Sequence, residues 1–281
     1  MKTFAGIDTE YAQYETARTV LIPVPYDGTS TWGKGADKGP EAFLGAAENM
    51  ELYDIETDSE VYRTGIFLHD AISIDETPDL MRRAVKKCVR KQLENDKFVT
   101  LFGGEHTISI GSIQAYAEHF DELTILQIDA HADLRSSYKG EPINHASALH
   151  WASQNCNLIQ VGIRSMDQSE KEFMNPAKTF FAADVAEADD GWMDEVLALC
   201  RGAIYITIDL DGFDPSILPS TGTPEPGGLG WYQVLRLCRK VMDTESVRGF
   251  DIVELCPNAS NRSSEFLAAK LYYKMLSYQH S

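Results

Sequence analysis

Three short apolar runs in this chain each stop abruptly at a cluster of acids, histidines or glycines, and no other feature restricts the possible folds as much. Phe98-Val99-Thr100-Leu101-Phe102 ends in Gly103-Gly104-Glu105-His106-Thr107. Leu123-Thr124-Ile125-Leu126-Gln127-Ile128 ends in Asp129-Ala130-His131-Ala132-Asp133, and Ala203-Ile204-Tyr205-Ile206-Thr207-Ile208 ends in Asp209-Leu210-Asp211-Gly212-Phe213-Asp214-Pro215. Each run is short, β-branched and apolar throughout, as a strand covered on both faces must be. Further strands are expected at Val20–Val24, Leu158–Ile163, Lys178–Phe181 and Phe250–Val253. Helical spacing runs between them: Pro40–Asn49, a helix capped by Thr77 with Pro78 first, Ile108–His119, His145–Ser153, Trp192–Cys200, Trp231–Met242 and Glu265–Tyr278. In the Thr77 helix, Leu80, Ala84, Val85, Cys88, Val89 and Leu93 are the expected buried stripe. Strands alternating with helices predict an α/β chain, a three-layer α/β/α sandwich around a mostly parallel sheet. In such sheets ligands sit beyond the carboxyl ends of the strands, so the three clusters mark where chemistry is expected.

Asp129, His131 and Asp133 are spaced by two and are expected to share one side of the strand end. Two carboxylates flanking an imidazole form a mixed oxygen and nitrogen ligand set suited to Mn²⁺, Fe²⁺ or Zn²⁺. Alone, this motif is matched by a plain alternative, an acidic loop with a satisfied histidine. Three strand ends together deliver His106, Asp129, His131, Asp133, Asp209 and Asp211. Six ligands, four of them carboxylates, exceed what one tetrahedral ion uses; they suit two divalent ions roughly 3.5–4 Å apart that share carboxylates.

These motifs, in this order, resemble the three signatures of the ureohydrolases, the family of arginases and agmatinases. The resemblance runs from Pro23-Val24-Pro25-Tyr26-Asp27-Gly28 to Glu254-Leu255-Cys256-Pro257. It implies an eight-stranded sheet and two Mn²⁺ per chain, held by His106, Asp129, His131, Asp133, Asp209 and Asp211. A hydroxide shared by the two ions would attack a guanidinium carbon, with Asp211 or Asp133 holding the migrating proton. The resemblance also makes His145 the proton carrier to the leaving amine and Glu254 the carboxylate that grips the guanidinium. Thr223 falls at the rim of the metal site, and the glycine-rich stretch Asp27–Gly35 beside its mouth. Read without the family, His145 is a structural histidine, Glu254 a solvated strand end and Thr223 a turn residue. Asp214 and Glu105 are expected to accept hydrogen bonds behind the ligands, and His150-Trp151 to shape the pocket rim.

The implied substrate is agmatine, giving putrescine and urea. Leu134-Arg135-Ser136-Ser137-Tyr138-Lys139-Gly140 lacks the arginase asparagine and most resembles agmatinases of archaeal type. Ser165 stands where arginases place an aspartate, while Asp167 and Glu170 remain as candidates for the substrate tail. Aminopropylagmatine, guanidinobutyrate or arginine are the alternative substrates, and a non-catalytic metal-binding relative is the alternative role. Trimers or hexamers of identical chains are a further implication of the family.

No linker, repeat or low-complexity segment divides the 281 residues, so residues 1–281 are expected to form a single domain. A net charge of −18 repels phosphate backbones and argues against nucleic acid as a partner, while suiting a small cationic substrate. Gly33-Lys34 is followed by Gly35, which breaks the order of a phosphate-binding loop. Five scattered cysteines without a C-x-x-C pair read as reduced thiols. With no signal-peptide core near Met1 and no membrane-spanning run, a cytoplasmic protein is expected.

Overall fold

The computed structural model of the protein describes residues 2–186 and 188–280. Eight strands form one sheet: β1 (Thr19–Val24), β2 (Ile66–Leu68), β3 (Phe98–Gly103), β4 (Leu123–Ile128), β5 (Asn157–Ile163), β6 (Thr179–Phe181), β7 (Ala203–Asp209) and β8 (Val247–Val253). Their spatial order is β2-β1-β3-β8-β7-β4-β5-β6, and every pairing is parallel. All six residues of β4 are buried, which requires apolar cover on both faces. Its side chains alternate as a pleated strand demands: Leu126 and Ile128 join one core cluster, Leu123 and Ile125 the other.

The helices are α1 (Gly39–Ala47), α2 (Pro78–Leu93), α3 (Ile108–His119), α4 (His150–Asn155), α5 (Ala182–Ala186), α6 (Gly191–Leu199), α7 (Trp231–Met242) and α8 (Ser263–His280). Phe43 of α1, Met193 of α6, Leu237 of α7 and Tyr272 of α8 fill one core; Val85 of α2, Ile113 of α3 and Ala152 of α4 fill the other. The result is the three-layer sandwich anticipated from the alternation of elements.

Two elements were not anticipated, and two local expectations are corrected. The three-residue edge strand β2 and the five-residue α5 are too short to leave a periodic signal. His145–Ser153 is not one helix: a 3₁₀ turn spans His145–Ser147 and α4 begins at His150. Between them the Leu149 amide donates to the Asp133 carbonyl, so the metal motif takes a bond that a continuous helix would need. On α2 the buried stripe is Met81, Val85, Val89, Gln92 and Leu93, with Leu80 exposed. Among the described residues, no helix is long and apolar enough to cross a membrane. All five cysteines are free.

Candidate metal centre

The order β3-β8-β7-β4 places four adjacent strands at the middle of the sheet. Their carboxyl ends carry every motif: residues 103–107 from the last residue of β3, 129–133 after β4, 209–214 from the last residue of β7 and Glu254 after β8. The Gly104 amide donates to the Val24 carbonyl at 2.7 Å, and the Gly104 carbonyl accepts from Glu254 N at 2.8 Å. A Cβ at residue 104 would lie 1.8 Å from the Tyr26 carbonyl oxygen, so only glycine permits this approach.

Strand alternation is not what gathers the second motif. β4 ends at Ile128, and Asp133 turns inward through a left-handed backbone (φ 54°). Glu254 is also left-handed, at φ 66°. Such conformations cost about 1–3 kcal/mol each in a residue with a Cβ, and here both fall on site residues.

All six anticipated ligands meet. His106 Nδ1 lies 3.1 Å from Asp133 Oδ2, 3.2 Å from Asp129 Oδ2 and 3.4 Å from Asp209 Oδ2. His131 Nδ1 lies 2.9 Å from Asp211 Oδ2 and 3.7 Å from Asp129 Oδ1. Two ligand sets result, His106/Asp129/Asp209 and Asp129/His131/Asp211, with Asp129 common to both and Asp133 beside the first. The site's fit to metal is legible in one atom. Thr207 Oγ1 donates to Asp251 at 2.6 Å, so it accepts from His106 Nε2 at 2.9 Å. That leaves Nδ1 as a buried nitrogen without a hydrogen-bond partner, facing three carboxylate oxygens. A lone pair among carboxylates is repulsive unless a cation intervenes, and hard oxygen and imidazole donors suit a divalent ion.

The electrostatics agree. Burial, with repulsion from Asp129, pushes Asp133 up to about 7; burial and the Asp211 charge raise Asp209 well above the carboxylate range. Burial would lower His131, but Asp211 and Asp129 overcome it and hold the ring at about 11. The two imidazoles and the crowded acids thus compensate one another with protons wherever metal does not.

Beside the ligands opens a cavity of about 250 Å³, bordered by His145, Glu254, Thr223, Tyr138 and Arg135. Glu254 Oε1 accepts from the His106 amide at 2.8 Å, which leaves Oε2 for a ligand. Thr223 Oγ1 is 3.5 Å from Asp211 Oδ2. Burial, followed by the positive His106, His131 and Arg135, lowers His145 to about 4. Asp167 lies on the cavity rim, half exposed. Glu170 also borders it, but its oxygens are engaged by the backbone amides of Leu134 and Asp167.

Two expectations are corrected here. His150 is not at the rim: its Nδ1 meets the Leu134 carbonyl at 2.9 Å and its ring packs on Phe173. Asp214 does not support the ligand pair; the Ser216 hydroxyl first, then the amides of Ser216, Gly228 and Gly227 that donate to it, hold it at about 2. Sequence reasoning missed Arg164, whose guanidinium donates to the carbonyls of Asp211 (2.6 Å) and Glu225 (2.7 Å) and so fastens the third motif. It also missed Thr207 and Asp251. A fully buried charge inside an apolar strand was the available signal for Asp251.

A parallel α/β sheet whose central strand ends bring together two overlapping carboxylate–imidazole sets, each able to hold a metal ion, defines the class of protein. The chain belongs to the arginase family of ureohydrolases: the Arginase family model matches residues 17–277. It is 35% identical to the N(1)-aminopropylagmatine ureohydrolase of Synechocystis sp. over 94% of this chain and 90% of that protein. It is 28% identical to the agmatinase of Pyrococcus horikoshii over 98% and 97%. The crystal structure of the agmatine ureohydrolase of Thermoplasma volcanium superposes with a TM-score of 0.88 at 30% identity, covering 99% of this chain and 94% of that one. Arginase from Bacillus subtilis shares the fold, with a TM-score of 0.76 at 23% identity over 92% and 98%.

Proposed function

We propose that this protein holds two Mn²⁺ per chain and hydrolyses the guanidinium group of a guanidino-polyamine to urea and a primary amine, with N(1)-aminopropylagmatine as the preferred substrate and agmatine as the shorter one. The observation that carries the reading is the buried, unpartnered His106 Nδ1 among three carboxylates, two of which, Asp133 and Asp209, line a cavity that also holds Glu254 and its free carboxylate oxygen. His106, Asp129 and Asp209, with Asp133 beside them, would hold one ion, and Asp129, His131 and Asp211 the other. When bound, the ions supply a water that is nucleophilic near neutral pH and offset the negative charge of the acids.

The chain's own residues do the rest. A guanidinium is cationic at any physiological pH. Glu254 Oε2 accepts its N–H in a charge-assisted bond and fixes the carbon beside the ligands. Asp133 and Asp211 both border the cavity and are the carboxylates placed to hold the first proton. His145 passes a proton to the leaving nitrogen as the carbon–nitrogen bond breaks.

The polyamine reading rests on the relatives' names and on the rim. Asp167 offers a carboxylate to a distal ammonium, and Arg135, which an α-carboxylate would need, lies 3.9 Å from both Asp167 and Glu170. An arginine bound there would leave polar groups unpaired, at a cost of about 1–3 kcal/mol each. The test compares kcat/KM for aminopropylagmatine, agmatine, guanidinobutyrate and arginine with Mn²⁺ present. Aminopropylagmatine or agmatine is expected to lead by about tenfold or more, equivalent to ~1.4 kcal/mol. A lead for arginine or guanidinobutyrate overturns the substrate assignment.

A further inference from the structure

Behind His145 lies a hydrogen-bond chain that the metal site does not use. Thr29, on the loop after β1, sits with Oγ1 2.9 Å from His145 Nδ1 and accepts the His145 backbone amide at 3.1 Å. The same hydroxyl lies 2.9 Å from Glu105 Oε1. Glu105 is fully buried, and its two oxygens take four donors: the amide and hydroxyl of Thr29 on Oε1, the amide and hydroxyl of Thr107 on Oε2. Thr29 Oγ1 also lies 3.2 Å from Thr107 Oγ1, which gives its own proton to Glu105 Oε2. The single Thr29 hydroxyl proton goes to Glu105 Oε1, and toward the imidazole the oxygen acts as an acceptor. Nδ1 must then carry the ring proton. His145 Nε2 has no protein partner among the described residues, and the ring borders the cavity.

We propose that Thr29, braced by Glu105, is a positioning residue that holds His145 with its proton on Nδ1 and its Nε2 lone pair open to the cavity, so that His145 enters the reaction as a proton acceptor before it acts as a donor. This rests on the guanidino-hydrolase reading above. The stoichiometry calls for such a group. The water oxygen forms a carbon–oxygen bond and ends in urea, and the bond from that carbon to the alkylated nitrogen breaks. Both water protons finish on the leaving nitrogen, which goes from NH to NH₃⁺. Nε2 takes up one of these protons as the tetrahedral centre forms and releases it to the leaving nitrogen, returning to its starting state. No redox partner enters. Burial and the surrounding positive groups keep the free ring neutral, consistent with a vacant Nε2.

The experiment compares wild type, Thr29→Val and Thr29→Ser, each loaded with Mn²⁺ and assayed on agmatine for kcat, KM and metal content. Side-chain ¹⁵N spectra of histidine-labelled protein loaded with Zn²⁺, with His145 assigned from a His145→Gln variant, read the tautomer directly. The wild-type ring is expected as Nδ1–H. Thr29→Val, which keeps the volume and removes the acceptor, is expected to lower kcat by about tenfold or more with KM and metal content unchanged, and to populate Nε2–H. Thr29→Ser restores the acceptor and is expected to stay within about threefold of wild type. A wild-type Nε2–H ring overturns the proposal, as does Thr29→Val with normal kcat and tautomer. So does equal loss in Thr29→Val and Thr29→Ser, or metal loss in both, because either result assigns Thr29 a packing role. Wild type that releases no urea defeats the guanidino-hydrolase reading instead, and the spectra still decide the tautomer.

Discussion

His106 shows how one residue organises a site. One nitrogen is tied through Thr207 to the buried Asp251, so the other is aimed among Asp129, Asp133 and Asp209. Removing one carboxylate from this arrangement removes both a donor and the charge that offsets a bound cation. Asp209→Ala or Asp133→Ala is therefore expected to lose metal and turnover with the fold retained. Elemental analysis finding two ions in either variant at near-normal rate would contradict the ligand set. His145 stands apart from the ligands, so His145→Ala should keep its metal and lose about 10²-fold or more in kcat, the usual scale for general acid–base catalysis. A loss of only a few-fold would reduce it to a structural histidine. The six ligand residues were legible in the sequence because each belongs to a strand-ending motif. Thr29 and Glu105 were not legible as a pair, since nothing in a linear sequence says that residues 76 positions apart share a proton.

At the scale of elements, the central quartet β3-β8-β7-β4 delivers the motifs, and the alternation of apolar runs with helical spacing already implied such a sheet. The spatial order was not readable: β7 and β8 enter between β3 and β4 although they follow them in the chain. The mode of convergence was also misread from strand periodicity, because the left-handed turns at Asp133 and Glu254 lie beyond the strands. The His145–Ser153 segment failed as a helix for a related reason, a tertiary hydrogen bond from Leu149 to Asp133 overriding local propensity. Packing of the β3 loop against the loop after β1 allows a sharp test. Gly104→Ala would drive a Cβ into the Tyr26 carbonyl and is expected to destabilise the protein by about 1–3 kcal/mol or more and to weaken metal binding. Denaturant unfolding that matches wild type would show that the loop yields without cost.

For the whole molecule, a net charge of −18 surrounds a site proposed to take a cationic guanidino substrate. Electrostatic attraction should raise kcat/KM at low ionic strength, so raising salt from roughly 0.01 M to 0.3 M should lower kcat/KM while kcat holds. A flat profile would confine substrate attraction to the cavity. Metal and protons also compete for the same groups. In the metal-free protein Asp133 stands near 7 and His131 near 11, both raised, so both hold protons that a divalent ion must displace as pH falls toward neutrality. Calorimetric Mn²⁺ titrations near pH 7 in buffers of different ionisation enthalpy should report release of more than one proton per chain, with affinity rising as pH rises. Binding without proton release would contradict the buried acid–imidazole cluster. The most direct test is to follow the rate of urea release from agmatine or aminopropylagmatine as metal-free protein receives Mn²⁺ in equivalents. Activity is expected to rise to a plateau at two ions per chain; a plateau at one ion, or no urea at any loading, would contradict a two-ion hydrolase.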